Sequence, residues 1–295
     1  MSSGASRALA ACRGDIEATA ESDFATFSSR PPLFLLTSRN VPEEFDCEIV
    51  IWSCTIVTDA SFLLSPHTFV CRTSDHVVFL DLKRDAYSAV PPADVPLLTS
   101  LIHGWPSHPE EVPRSESHSG KGYAIALELE EADLITRDTR FGKSAHTVHT
   151  DAAHSTLWRE FSDTRSVRLG ELYNFMRAWW SVSYMVKRWP LSRTVERVRA
   201  RRREQRWRTE DYARVSGLVS VYAALQPYAF SPVDACLRNS LTLVEYLAYY
   251  TYFPDWLFGV RLDPAWAAHS WVQKDDVVLN DTIEHISTYS PIMVV

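Results

Sequence analysis

A chain of 295 residues, 46% hydrophobic and 23% charged, has the composition of an ordinary globular protein and the length for one large or two to three small domains, which sets aside fibrous and disordered classes. Its net charge of −7 argues against general nucleic-acid binding. Five cysteines, an odd number without regular spacing, suggest neither a disulfide framework nor a zinc cluster, so a reducing, cytoplasmic setting with free thiols is expected.

Residues 1–30 are rich in Ala and Ser but carry Asp15, Glu17, Glu21 and Asp23, so they lack the basic start and unbroken apolar core of a signal peptide. The runs at 49–52 and 55–57 are β-prone. The apolar stretch ending at Leu64 is interrupted by Asp59 and is too short to span a bilayer, so no membrane partner is expected. Residues 1–66 form an unassigned extension.

A meander of three strands is expected at 68–71, 77–82 and 87–90. Helices follow at 95–102, with Pro96 in the opening turn, and at 124–135, with a polar loop over 106–122 between them. The second helix carries Glu128, Glu130, Glu131 and Asp133 without Lys or Arg, which phosphates would repel. Residues 143–154 contain His146, His149 and His154 but no carboxylate or Cys that completes a metal set, and read as a solvated connector.

The periodicity over 167–189 predicts an amphipathic helix with Leu169, Leu172, Phe175, Met176, Trp179 and Met185 near one buried stripe, widened by Trp180 and Tyr184. From Arg193 to Arg208 eight arginines are opposed by only Glu196 and Glu204, which suits either a solvated helix face or a docking surface for an acidic partner. Helices at 211–224 and 237–252 come next.

Asp234 suits an N-cap, placing Cys236 at the second helical position, where the macrodipole favours a thiolate and lowers its pKa from about 8.5 toward neutrality. His269, in a strand at 268–272, offers a base, and Asp281, in a strand at 279–281, offers a group to orient it. The two are 12 positions apart, an even number, so a loop of odd length such as 274–276 places them opposite each other. A two-residue turn at Asp275-Asp276 would set Ser270 opposite Asp281 instead, so an odd loop or a bulge is expected.

The segments Cys236-Leu237 with Ser240-Leu241 and Leu243, Gly259-Val260-Arg261, His269-Ser270-Trp271-Val272 and Leu279-Asn280-Asp281 carry a family resemblance. In order and spacing this stretch resembles the B proteins of lasso-peptide biosynthesis, transglutaminase-like cysteine peptidases that remove the leader from a precursor peptide. The resemblance implies Cys236 as nucleophile, His269 as base and Asp281 as its orienter, with no metal. Residues 67–140 resemble the winged-helix precursor-recognition element of these systems. That implies a leader added as a strand beside Tyr87, Ser88, Ala89 and Val90 and lying against the helix that holds Leu127.

The partners so implied are the precursor peptide and an asparagine-synthetase-like lasso cyclase that uses ATP. This chain has no Gly-rich phosphate loop and no cofactor is expected in it. The expected architecture is α+β: an extension at 1–66, a winged-helix-like recognition domain at 67–140, a linker at 141–165 and a papain-like or transglutaminase-like peptidase domain at 166–295. Acyl transfer to an amine and a non-catalytic module that delivers the precursor to the cyclase remain open alternatives.

Overall fold

The computed structural model describes residues 62–106, 119–158, 166–202, 207–230 and 235–295. The β-prone runs at 49–52 and 55–57, most of the 106–122 loop, the Asp234 cap, and Arg203, Glu204 and Arg206 lie outside the described residues.

The chain enters at β1 (Leu63–Leu64) and forms the expected antiparallel meander of β2 (Thr68–Arg72), β3 (Val77–Asp81) and β4 (Ala86–Val90). Strand alternation gives this small sheet two apolar faces. Val70, Val77 and Phe79 meet Leu98, Ile102, Trp105 and Leu129 on one side. Cys71, Val78 and Leu80 on the other side join the core of the C-terminal unit. β3 is buried along its whole length for this reason, and the two units share a continuous core.

The helices of this unit differ from expectation at their ends. The first is a 3₁₀ turn, Val95–Leu98, opened by Pro96. The second, α1 (Ser119–Glu131), begins inside what reads as a loop and stops four residues early, after which β5 (Ile135–Thr136) pairs with β1. Asp133 takes a left-handed φ of 61°, and the N–H groups of Asp133 and Leu134 close onto the carbonyls of Glu130 and Leu129, a Schellman-type stop. Such a stop normally announces itself by Gly, and here the residue is Asp.

The C-terminal unit contains β6 (Ser155–Thr156), α2 (Leu169–Arg188), α3 (Leu191–Arg201), α4 (Thr209–Ala229), α5 (Ala235–Ala248), β7 (Asp255–Arg261), β8 (Ala267–Lys274), β9 (Val277–Val278), α6 (Ile283–Ile286) and β10 (Ser290–Val294). Its sheet has the order β10-β7-β8-β9-β6, with β6 parallel to β9. The 141–165 linker thus supplies an edge strand at Ser155–Thr156, just past the 143–154 connector, and the N–H groups of His154 and Ser155 donate to the Asp276 carbonyl. α5 stops at Ala248 rather than 252 by the same device as α1, with Thr251 at φ 65° and the Tyr252 N–H on the Leu247 carbonyl.

α2 is apolar on two sides. Phe175, Ala178, Val182 and Met185 face the core, whereas Leu169, Leu172, Met176, Trp180 and Tyr184, all expected on the buried stripe, are exposed together with Tyr173. Periodicity identified the helix but could not choose between two apolar faces. Five arginines of the basic run work within the molecule. Arg193 and Arg197 lie over the Trp189 ring at 4.2 and 5.7 Å, and Arg199 lies over Phe69 at 5.3 Å. Arg197 and Arg201 pair with the buried Glu245 at 3.8 and 2.5 Å, and Arg202 pairs with Asp255. α3 and the residue after it are thereby tied to α5, β7 and the N-terminal sheet, while Arg193, Arg197, Arg199 and Arg202 stay exposed, as a solvated face requires.

Candidate active site

Cys236 is the second residue of α5 and is half-buried. The helix is pinned on two sides. One turn after Cys236, Ser240 Oγ lies 2.9 Å from Ser270 Oγ on β8 and accepts the Trp256 indole N–H at 2.9 Å. From α4 the Tyr222 hydroxyl donates to the Asn239 carbonyl at 2.8 Å. These buried contacts fix where the first turn of α5 meets the sheet.

His269 lies on β8 opposite Gly259 of β7. A Cβ at Gly259 would sit 2.8 Å from the Trp271 ring and 3.0 Å from Tyr289 Cβ, so only glycine leaves room for the aromatic wall beside the imidazole. Gly259→Ala is expected to destabilise the protein by about 1–3 kcal/mol through overpacking, read as a lower urea midpoint with an unchanged slope.

The odd loop expected after β8 is not present. β8 and β9 join through a two-residue turn at Asp275-Asp276, with Gln273 opposite Val278, a register that would carry Ser270 opposite Asp281. The ladder ends before that happens. The Leu279 N–H bonds the Val272 carbonyl at 2.8 Å, and Asn280 Oδ1 accepts the Val272 N–H at 2.7 Å in place of a backbone carbonyl. The chain then leaves the sheet, so 279–281 is not a strand, and Asp281 reaches His269 from outside the ladder.

His269 Nε2 donates to Asp281 Oδ2 at 2.6 Å. The imidazole also hydrogen-bonds Cys236, and with Nε2 occupied this contact falls to Nδ1. Burial of the ring works against its cation, but the hydrogen bonds and charges of Asp281 and Cys236 outweigh it and push the His269 pKa up to about 9 from 6.5. Burial likewise opposes ionisation of Asp281, and the hydrogen bonds from His269 and His285 reverse that, holding the carboxyl well below the usual carboxylate range.

A raised folded-state pKa stabilises the fold fully below the unfolded value of 6.5, and that contribution is lost as pH rises through about 9. The Tm advantage of the wild type over His269→Gln should therefore narrow across that interval. Asp281, with its depressed pKa, contributes above its unfolded value and loses that contribution as acid protonates it.

Three neighbours were not visible in the sequence. Thr156, on β6, donates its hydroxyl to the Asp281 carbonyl at 2.7 Å. Tyr289 stands 5.0 Å from the His269 ring, and His285 donates to the Asp281 carboxylate at 2.9 Å. The available signal for His285 was its spacing of four from Asp281 behind Thr282, a capping residue. His269, Asp281 and His285 are the one group among the described residues whose donor atoms, within 4.8 Å of one another, could share a metal ion, and their mutual hydrogen bonds account for that closeness.

The five leader-binding candidates are not gathered into one open groove. Val90 is in the core, Tyr87 and Ala89 pack toward the C-terminal unit, and the Tyr87 ring meets Trp266 at 5.3 Å. Ser88 is half-buried, and Leu127 is exposed on α1, one turn from Tyr123. What β4 retains is its outer edge, since among the described residues it is the last strand of its sheet. At the seam between the units a small, partly open cleft is lined by Asp85, Trp189, Leu191, Thr194, Leu237 and Trp256. Burial there, with Asp81 nearby, pushes the Asp85 carboxyl up to about 6.

Residues 178–294 match the family model of the transglutaminase-like superfamily. The match begins within α2, ends in β10 and includes Cys236, His269 and Asp281. No curated protein and no solved structure matches the chain. The C-terminal unit thus contains a transglutaminase-like domain, a class compatible with cysteine peptidases and acyl transferases. No helix among the described residues is long and apolar enough to cross a membrane.

Proposed function

We propose that the protein is a cysteine peptidase of lasso-peptide maturation, which binds the leader of a precursor peptide and hydrolyses the leader–core bond. The observation that carries this reading is the hydrogen-bonded row of Cys236, His269 and Asp281 at the first turn of α5. In the proposed cycle the Cys236 thiolate attacks the carbonyl carbon of the scissile bond while the Cys236 backbone N–H, in the first turn of the helix, receives the oxyanion. The C–N bond breaks as the His269 imidazolium protonates the leaving amine, leaving a thioester. A water then gives its proton to His269 as its oxygen attacks the thioester, and the carboxylic acid departs with return of that proton to sulfur. Asp281 holds the His269 tautomer throughout and stabilises the imidazolium.

The substrate class rests on the resemblance of the 236–281 segments to lasso B proteins. Leader capture is assigned to the β4 edge, where backbone pairing gives affinity. The proposed setting is cytoplasmic, beside an ATP-using, asparagine-synthetase-like cyclase, with neither nucleic acid nor membrane as partner. The test is incubation with the precursor peptide encoded nearest to this protein, with and without cyclase and ATP, followed by product masses. Cleavage at one bond is expected, and an uncut peptide under every condition would leave only a delivery role.

The family match also favours a second reading, acyl transfer to an amine, because the thioester is common to both reactions. The two differ in whether water or an amine resolves it.

A further inference from the structure

Asp281 is shared by two histidines. His285, on α6, places Nδ1 2.9 Å from Asp281 Oδ1 and 3.0 Å from Oδ2. Because the carboxyl is held ionised, the ring nitrogens that face it carry hydrogens and donate. The carboxylate therefore accepts the Thr282 N–H on Oδ1 at 2.7 Å, the His269 N–H on Oδ2 at 2.6 Å, and the His285 N–H across both. Two donors on separate oxygens leave the carboxylate able to rock between them, and a third that bridges the oxygens fixes its plane.

The local fold delivers this donor. Thr282 Oγ1 accepts the His285 backbone N–H at 3.3 Å, capping α6, while Thr156 holds the Asp281 carbonyl. The His285 ring stands edge-on to His269 at 4.6 Å and to Tyr289 at 5.4 Å. The ionisable groups around it are Asp281, His269 with Cys236 behind it, and Tyr289, over which Arg261 lies at 5.1 Å.

We propose that His285 is a positioning residue: by fixing the Asp281 carboxylate it keeps the His269 imidazole in the orientation that presents its second nitrogen to the Cys236 thiol. The inference rests on the reading of Cys236 and His269 as nucleophile and base. Leu and Asn share four side-chain heavy atoms branched at Cγ, but only Asn carries an N–H at the position of His285 Nδ1, so the pair separates hydrogen bonding from the presence of a branched side chain.

The experiment is the rate of iodoacetamide alkylation at Cys236 against pH, followed by the mass of the Cys236 peptide, in full-length wild type, His285→Leu, His285→Asn and His269→Leu. Cys71 does not compete, since burial pushes its thiol up to about 12. The wild type should react well below the ordinary thiol value of about 8.5. His285→Leu should raise the midpoint by about one unit, a loss of about tenfold in rate near pH 6, with His285→Asn within about twofold of wild type. If His285→Leu matches wild type while His269→Leu loses its low-pH reactivity, the proposal falls and the Cys–His reading stands. Equal losses in the Leu and Asn variants would overturn the donor role. A wild type indistinguishable from His269→Leu would remove both.

Discussion

Cys236→Ala should abolish cleavage of the precursor, by about four orders of magnitude or more in kcat, while leaving the fold and leader affinity intact. The sulfur is half-buried at the start of α5, and the helix is held by Ser240, Trp256, Ser270 and Tyr222 rather than by the thiol, so truncation removes the nucleophile and little else. Circular dichroism and leader-peptide binding check the fold, and product masses check the chemistry. Retained cleavage would move the nucleophile elsewhere. Loss of binding together with cleavage would mean that Cys236 matters to structure.

The largest effect on stability is expected from Trp256→Ala, a loss of about 3–5 kcal/mol. Trp256 is fully buried beneath α5, packs on Phe258 at 4.5 Å between ring centroids, and supplies the N–H that Ser240 accepts. Its removal opens a cavity and leaves a buried hydroxyl one donor short. Urea unfolding measures this directly, and a loss below about 1 kcal/mol would show that α5 is anchored mainly from its α4 side. Because the same contact locates the first turn of α5, the variant should also lose activity at temperatures where it remains folded.

The grouping of Cys236, His269 and Asp281 was legible because each residue type and its spacing carried chemical meaning: a thiol in the first turn of a helix, an imidazole on a strand, a carboxylate beyond it. The path of the chain between the last two was not. Pairing arithmetic assumed that the ladder continued to Asp281, and Asn280 ends it by substituting a side-chain oxygen for a carbonyl, a replacement that residue identity alone does not announce. The meander of β2, β3 and β4 was readable from alternation, whereas both premature helix ends depend on left-handed Asp133 and Thr251, positions where glycine is the usual marker.

Contacts made across long sequence separations account for the remaining differences. Thr156 reaches Asp281 from a stretch with no pattern of its own, Arg201 and Arg202 find Glu245 and Asp255 only once α5 and β7 are in place, and Arg199 finds Phe69 only once the units are packed together. The inward set of α2 could not be separated from its outward set by period, because both faces are apolar.

The central claim, hydrolysis of a peptide bond through a Cys236 thioester, is tested most directly by running the precursor reaction in H₂¹⁸O with a primary amine present and weighing the products. One ¹⁸O atom in the new carboxyl terminus, and no product from the Cys236→Ala protein, is the predicted result. An amine adduct in place of the labelled acid, or labelled acid formed without Cys236, would contradict it.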